Sequence, residues 1–531
     1  MKVYRDSIWS PYYSFWALRW QCFSLESLYT HCLLLLISVK LASKDNFKDE
    51  FSMSKQGDTP LLDALNKYRK EEPISFHVPG HKNGHIFSDK GIDTYQSLLQ
   101  IDTTELEGLD DLHAPEGPIL QAQQLLSTLY NTQKSYFLIN GSTCGNLSMI
   151  MGTCSEGDIV LVQKNCHKSV LHALRLAKVR PIFLHTMINN EWKTAEGLDP
   201  VIVHRALKQY KNIKALILTY PSYYGVGSNI EKIITLAHKF GVKVLVDEAH
   251  GAHFIGEPFL KSSLSYGADI VVQSAHKTLP AMTMGAYLHI NKEVMDYKSV
   301  EQYLRIFQSS SPSYPIMASL DLARFFLATL TKADLQYTKE KILYFREQLS
   351  FIEGIKVLGH NEKTFDILKL TIQTNGTFSG YEFQSELKKY GIYSELADPH
   401  NILLVLPILK VGQKFPYMQA VNAIKEVASY LQRESKLANV DVYMEDTKSI
   451  TELEISFAEM ATRNKVQVNL NNSIGNIAAE MITPYPPGVP FLMDGEIITR
   501  QKVEYLKYMI GIGVKFHGGD LLKKDSILVY E

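Results

Sequence analysis

Between residues 135 and 246 the chain repeats one pattern, a short and mostly apolar run followed by a longer stretch with helical spacing. Residues 135–139, 159–162, 181–184, 215–218 and 242–246 read as strands, with helices predicted over 146–152, 169–178, 203–209 and 230–240. A strand without polar alternation is covered on both faces, so the pattern predicts an α/β fold around a mainly parallel sheet. Ligands on such sheets sit beyond the carboxyl ends of the strands. The polar residues at those ends are therefore the first candidates for function.

Two strand ends carry groups that are costly to bury. Val244-Leu245-Val246 runs into Asp247-Glu248-Ala249-His250, and Ile270-Val271-Val272 runs into Gln273-Ser274-Ala275-His276-Lys277. Burial lowers the pKa of an amine, and a neutral amine can form a Schiff base with an aldehyde. An Asp and a Lys at two such strand ends make the core of a pyridoxal 5'-phosphate (PLP) site. The carboxylate keeps the pyridine nitrogen protonated. Taken alone, Asp247 reads as readily as a strand terminator.

A third strand ends in Asn140-Gly141-Ser142-Thr143-Cys144-Gly145-Asn146 and opens a helix. Amides at a helix start, with the Ser142 and Thr143 hydroxyls, can hold a phosphate dianion, although such turns also serve as plain caps. Ser274 and His276 would converge on the same phosphate. His167, just past another strand, could stack on the cofactor ring and help with proton transfer. A lone His is more often structural.

The remainder of the chain bounds the reading. At 531 residues, two or three domains are expected. The 55 Lys plus Arg against 56 Asp plus Glu give no basic excess that would point to nucleic acid. Five scattered cysteines, Cys22, Cys32, Cys144, Cys154 and Cys166, fit a reducing cytoplasm. Residues 1–52 hold three of the four tryptophans. Their apolar run over 33–39 is too short to span a bilayer and starts late for a signal peptide. That segment reads as an extension, either unpacked or placed before a natural start at Met53. His77, His81 and His85 have helical spacing, but Pro79, Gly80 and Gly84 oppose a helix, so a structured loop lining the substrate pocket is expected and no metal. A second α/β unit follows residue 354, with strands over 366–372 and 402–406 and helices over 379–390 and 417–431.

Ser274-Ala275-His276-Lys277, Asp247-Glu248-Ala249-His250 and Pro79-Gly80-His81-Lys82 together resemble the ornithine/lysine/arginine decarboxylase family of PLP fold type I. Gly108-Leu109-Asp110-Asp111-Leu112-His113 and Pro486-Pro487-Gly488-Val489-Pro490 are similar to its other signatures. The likeness runs from Thr59 to the C-terminus and is closest to the short bacterial form without an N-terminal wing domain. It implies a seven-stranded, mainly parallel sheet in a PLP-binding major domain (53–350), a small α/β domain (351–440) and a C-terminal α+β domain (451–531). It also implies a cytoplasmic homodimer or higher oligomer with interfacial sites, acting on a basic amino acid without nucleic acid or membrane.

On that resemblance Lys277 is the Schiff-base lysine, Asp247 the pyridinium partner and His167 the stacking residue. Ser142, Thr143, Ser274 and His276 hold the phosphate, Ser310 reaches the partner's phosphate, and His250 contacts the cofactor. Asp110, Asp111 and Glu496 are candidates for the substrate's distal cation. The rival readings are a PLP-dependent aminotransferase and a non-catalytic PLP-fold regulatory protein. Retention of Lys277, Asp247 and the phosphate cluster argues against the regulator.

Overall fold

The apolar runs form strands. In the computed structural model they are β1 (Lys134–Leu138), β2 (Ile159–Gln163), β3 (Arg180–Leu184), β4 (Ile213–Thr219), β5 (Lys243–Asp247), β6 (Ile270–Gln273) and β7 (Ala286–Ile290). They lie in the order β1-β7-β6-β5-β4-β2-β3, and only β7 runs antiparallel to its neighbours among these seven. The described residues are 56–227, 229–292, 294, 296–359, 364–434, 448–484 and 488–531. The extension over 1–52 and the Pro486-Pro487 pair lie outside them.

The sheet departs from expectation in one respect: it has eight strands, not seven. Ile450–Glu452 pairs antiparallel with β3, Ile450 opposite Leu184. These three residues are only half-buried. No apolar run announces them, and it is the open edge of β3 that makes them a strand.

Alternation within each strand explains why both faces are covered. Val160, Val162, Ala215, Ile217, Leu245 and Val272 join a core with Met149, Ile150, Val170 and Leu174 from the helices Gly141–Thr153 and Lys168–Leu176. Their neighbours Leu161, Leu216, Leu218, Val244, Val246 and Val271 join another, with Val203, Ile233 and Ile234 from Pro200–Gln209 and Ile230–Lys239. Each fully buried side chain of this size contributes about 1.5–3 kcal/mol. Gly145 fixes the helix after β1, because a Cβ there would lie 2.7 Å from both Leu138 and Val272. Only glycine lets the start of that helix press against β1 and β6.

A four-stranded antiparallel sheet follows, ordered Ile355–Val357, Lys369–Thr374, Asn401–Val405 and Leu396–Ala397. Its residues Leu370, Ile372 and Ile402, with Phe383 from the helix Gly380–Lys389, are continuous with the core beneath the large sheet. Lys465–Asn469 and Ser526–Tyr530 pair antiparallel near the C-terminus. With the helix Arg500–Gly511 they enclose a separate core of Leu470, Ile498, Val503, Leu506 and Ile527. Among the described residues, no helix is long and apolar enough to cross a membrane.

Candidate active site

Five strand ends meet at one cavity of about 280 Å³. The turn at Asn140–Thr143 after β1, His167 after β2, Thr219 on β4, Asp247 on β5, and Ser274, His276 and Lys277 after β6 all line it. Strand register brings them together, since Thr219 lies opposite Asp247 and Asp247 opposite Val272. The sequence reading put Lys277 at the end of its strand. Instead β6 stops at Gln273, where pairing with β7 ends, and Lys277 rides on the one-turn helix Ala275–Thr278.

A chain of buried hydrogen bonds orients two of these residues. Asn146 donates through Nδ2 to Asp247 Oδ2 at 2.8 Å and to Ser169 Oγ at 2.9 Å. Ser169 Oγ lies 2.8 Å from His167 Nδ1, which also accepts the Ser169 amide at 3.2 Å. Because His167 Nδ1 already accepts the Ser169 amide, it is the unprotonated ring nitrogen, so the Ser169 hydroxyl donates to it and the imidazole carries its own proton on Nε2. Desolvation lowers the His167 pKa, partly opposed by Asp247 and reinforced by Lys277, so the ring is neutral at physiological pH. The Ala249 amide completes the Asp247 carboxylate at 3.2 Å.

Across the cavity the donors suit an anion. Ser274 Oγ donates to Ser142 Oγ at 2.9 Å, at the start of the helix Gly141–Thr153. First-turn amides and the helix dipole favour negative charge there. His276 Nδ1 donates to the Gly285 carbonyl at 2.9 Å, so its Nε2 is the nitrogen left for a ligand. Desolvation lowers the His276 pKa.

Lys277 is held by His250, which is 4% exposed, with 3.2 Å between Nζ and Nε2. Lys277 Nζ also lies 5.9 Å from the centre of the Tyr223 ring. Desolvation lowers the Lys277 pKa, with Asp247 and Glu395 pulling it back. The other side of His250 meets Lys369, 3% exposed, at 2.7 Å between Nδ1 and Nζ. Sequence reasoning missed Lys369, Asn146 and Ser169. For Lys369 a signal existed, namely a charge inside the apolar run Ile367-Leu368-Lys369-Leu370.

Other expected residues are occupied elsewhere. Asp110 accepts the amides of Asp111, Glu116, Gly117, Ile119 and Leu120, which caps the helix Pro118–Tyr130. Asp111 accepts the His113 amide. Glu496 receives Lys164 at 3.0 Å and Lys502 at 2.5 Å. Burial raises its pKa, but the two lysines outweigh burial and hold it below the usual glutamate value. Ser310 is exposed and outside the cavity, on a loop tied to the phosphate-type turn by Asn140 Nδ2 donating to the Phe307 carbonyl at 3.0 Å. The loop around His81 does not line the cavity in this chain either; His81 meets Asp102 at 3.2 Å.

Comparison with known proteins gives the family and the fold. Residues 59–364 match the model of the Orn/Lys/Arg decarboxylase major domain, and residues 437–520 match that of the Orn/Lys/Arg decarboxylase C-terminal domain. The chain is 42% identical over 478 residues to the protein YaaO of Bacillus subtilis, covering 89% of this chain and 98% of that one. It is 32% identical over 483 residues to the arginine decarboxylase of the same organism, covering 87% and 96%. The solved constitutive lysine decarboxylase of E. coli superposes with a TM-score of 0.75 at 21% identity, over 90% of this chain and 82% of that one. These likenesses establish the fold as PLP fold type I.

Proposed function

This chain belongs to the Orn/Lys/Arg decarboxylase family, and on that premise we propose that it is a PLP-dependent enzyme that removes carbon dioxide from lysine, arginine or ornithine and releases the amine. The observation that carries this reading is that Lys277, Asp247 and the helix-opening turn Asn140–Thr143 line one cavity. The residues fit PLP. Hydroxyls and amides at Ser142, Thr143 and Ser274 would hold its phosphate, and Asp247 would hold the proton on its ring nitrogen. His167 would form one wall. Thr219 Oγ1, buried at the cavity and without a hydrogen-bond partner among the described residues, is a further donor awaiting a ligand. When bound, PLP supplies an aldehyde that captures the substrate amine and a ring that takes up the electron pair left by departing carbon dioxide.

The chain's own groups do the remaining work. Lys277 Nζ would hold the cofactor aldehyde, and as the nearest amine it would hold a proton for the α-carbon. The Asn146–Ser169 chain keeps the Asp247 carboxylate and the His167 ring in fixed orientations, so little reorganisation is needed during the reaction. The same reading gives a cytoplasmic homodimer in which Ser310 reaches the partner's phosphate, with a cofactor-binding region over 53–350, a small α/β region over 351–440 and a C-terminal region over 451–531.

The test is to offer lysine, arginine and ornithine to the purified, PLP-loaded protein, measuring carbon dioxide with cadaverine, agmatine or putrescine. Keto-acid formation without carbon dioxide would make it an aminotransferase. Failure to develop a PLP absorbance band, or a band that survives Lys277→Ala, would remove the assignment of the site.

A further inference from the structure

His250 sits between two lysines, and hydrogen-bond bookkeeping restricts what all three can be. Its Nε2 lies 3.2 Å from Lys277 Nζ and its Nδ1 lies 2.7 Å from Lys369 Nζ. A lysine ammonium only donates, whereas a neutral imidazole offers one acceptor nitrogen and one N–H. Desolvation and the two lysines drive the His250 pKa well below its ordinary value, so the ring is neutral. One lysine therefore donates to the ring as an ammonium, and the other accepts from the ring as a free amine.

Lys369 is built into this position. It starts the strand Lys369–Thr374 of the second sheet, and the segment before it is pinned by Asp366. The Asp366 carboxylate accepts from His253 Nε2 at 2.9 Å and from the Leu368 amide at 3.0 Å, while its own amide donates to the Gly225 carbonyl. Gly225, at φ +85°, lies against the lysine stem, and a Cβ there would be 2.7 Å from Lys369 Cβ. Desolvation brings the Lys369 pKa down to about 8, opposed by Asp366 and Glu395 and assisted by Lys277. An amine with that pKa exchanges its proton near neutrality. The mechanism above gives it no task.

We infer that Lys277, His250 and Lys369 form a proton relay in which Lys369 is a positioning and proton-storing residue that recharges Lys277 through His250. In one state Lys369 is the ammonium, Nδ1 accepts from it, and Nε2–H donates to a neutral Lys277. Transfer moves one proton from Lys369 Nζ to Nδ1 and one from Nε2 to Lys277 Nζ. The imidazole ends neutral with its tautomer exchanged, and the ammonium has passed to Lys277. Every hydrogen bond is satisfied in both states. The groups that bias the exchange are Asp247 and Glu395 on Lys277, Asp366 and Glu395 on Lys369, and His167 and His253 on His250. The Tyr223 ring packs edge-on against His250 at 5.0 Å.

The task of the relay rests on the proposed role of Lys277, but its existence can be tested without cofactor. In the PLP-free protein, labelling of Lys277 by trinitrobenzenesulfonate from pH 6 to 10, read by peptide mass spectrometry, gives the midpoint of its titration. Lys369→Met removes a neighbouring positive charge, so the midpoint moves up by about one pH unit, a tenfold slower labelling at fixed pH below it. Lys369→Arg keeps the charge but cannot release its proton. It locks Nε2–H onto Lys277, so the midpoint moves down. Opposite shifts support the relay, and wild-type midpoints in both variants overturn it.

If the arginine variant does not fold, ¹⁵N shifts of His250 in the wild type decide instead. A change of neutral tautomer between pH 6 and 10 supports the relay, and a single tautomer throughout overturns it. Loss of the PLP band in Lys277→Ala separately tests the site assignment, so the two ideas fail by different measurements.

Discussion

Asn146→Leu should be the most informative single substitution outside the groups that meet substrate. The side chain is fully buried and nearly isosteric with leucine, so little cavity opens. It removes a charge-assisted bond to Asp247, worth about 1.5–3 kcal/mol, and a neutral bond to Ser169, worth about 1 kcal/mol. Against this, Asn146 Oδ1 has no partner among the described residues, and deleting it recovers about 1 kcal/mol of desolvation. The net loss is about 2 kcal/mol, roughly thirtyfold in the folded-to-unfolded ratio.

Urea unfolding of the PLP-free protein at pH 8 would measure it, with Ser169→Ala and the double variant closing a cycle. If the residues act as one chain, the coupling is about 1 kcal/mol, whereas independent sites add to within about 0.5 kcal/mol. PLP affinity should fall in the same variants, because Asp247 and His167 lose their shared tether. An unchanged unfolding midpoint with an unchanged slope, or strict additivity, would refute the claim that Asn146 and Ser169 couple the two sides of the site.

Further outcomes follow from other features. Desolvation lowers the His276 pKa, which favours the neutral ring in the cofactor-free protein, so pairing its Nε2 with a phosphate requires a proton. PLP binding should therefore take up close to one proton per site at pH 7.5 and weaken as pH rises through the ligand-bound pKa. Calorimetry in buffers of different ionisation enthalpy checks this, with His276→Gln abolishing the uptake. The Glu496 pKa is depressed in the folded chain, so its contribution is full at neutral pH and is lost as pH falls below the ordinary glutamate value through the folded one. Glu496→Gln should lose about 3 kcal/mol at pH 7 and show less additional weakening in acid, read from unfolding midpoints at pH 7 and pH 4. Leu216→Ala, at a position with no exposure, should cost about 2–5 kcal/mol by urea unfolding without changing the PLP spectrum of the folded protein.

How much of this was legible in the sequence depends on the range of the interaction involved. Strands such as Ile159–Gln163 announce themselves because Val160, Leu161 and Val162 are buried by their own apolar type, and the polar residues that follow such runs stand out against them. Lys277 was expected beyond an apolar strand and lines the cavity there, but its one-turn helix was not expected, since four residues carry no periodicity. Pro118–Tyr130 and Lys298–Phe307 are helices outside the predicted set. Asn146 and Lys369 gain their roles from partners 101 and 119 residues away, which no local pattern encodes. Asp110 misled in the opposite sense. Its place in a family-like motif suggested a substrate contact, whereas its carboxylate spends its lone pairs on five local amides.

The short pairing of Ile450–Glu452 with β3 also bears on solubility. An outermost strand with unpaired amides and carbonyls is a template for another chain, and β3 is apolar through Ile182, Phe183 and Leu184. The added segment covers that template and is held by Arg180 reaching Glu452 at 2.8 Å and Tyr210 reaching it at 2.8 Å. A chain cut before residue 450 would keep every group of the cavity yet bare this edge. It should self-associate, with light scattering that rises with concentration while the full chain's does not. The short strand over 450–452 would then act as a guard against aggregation.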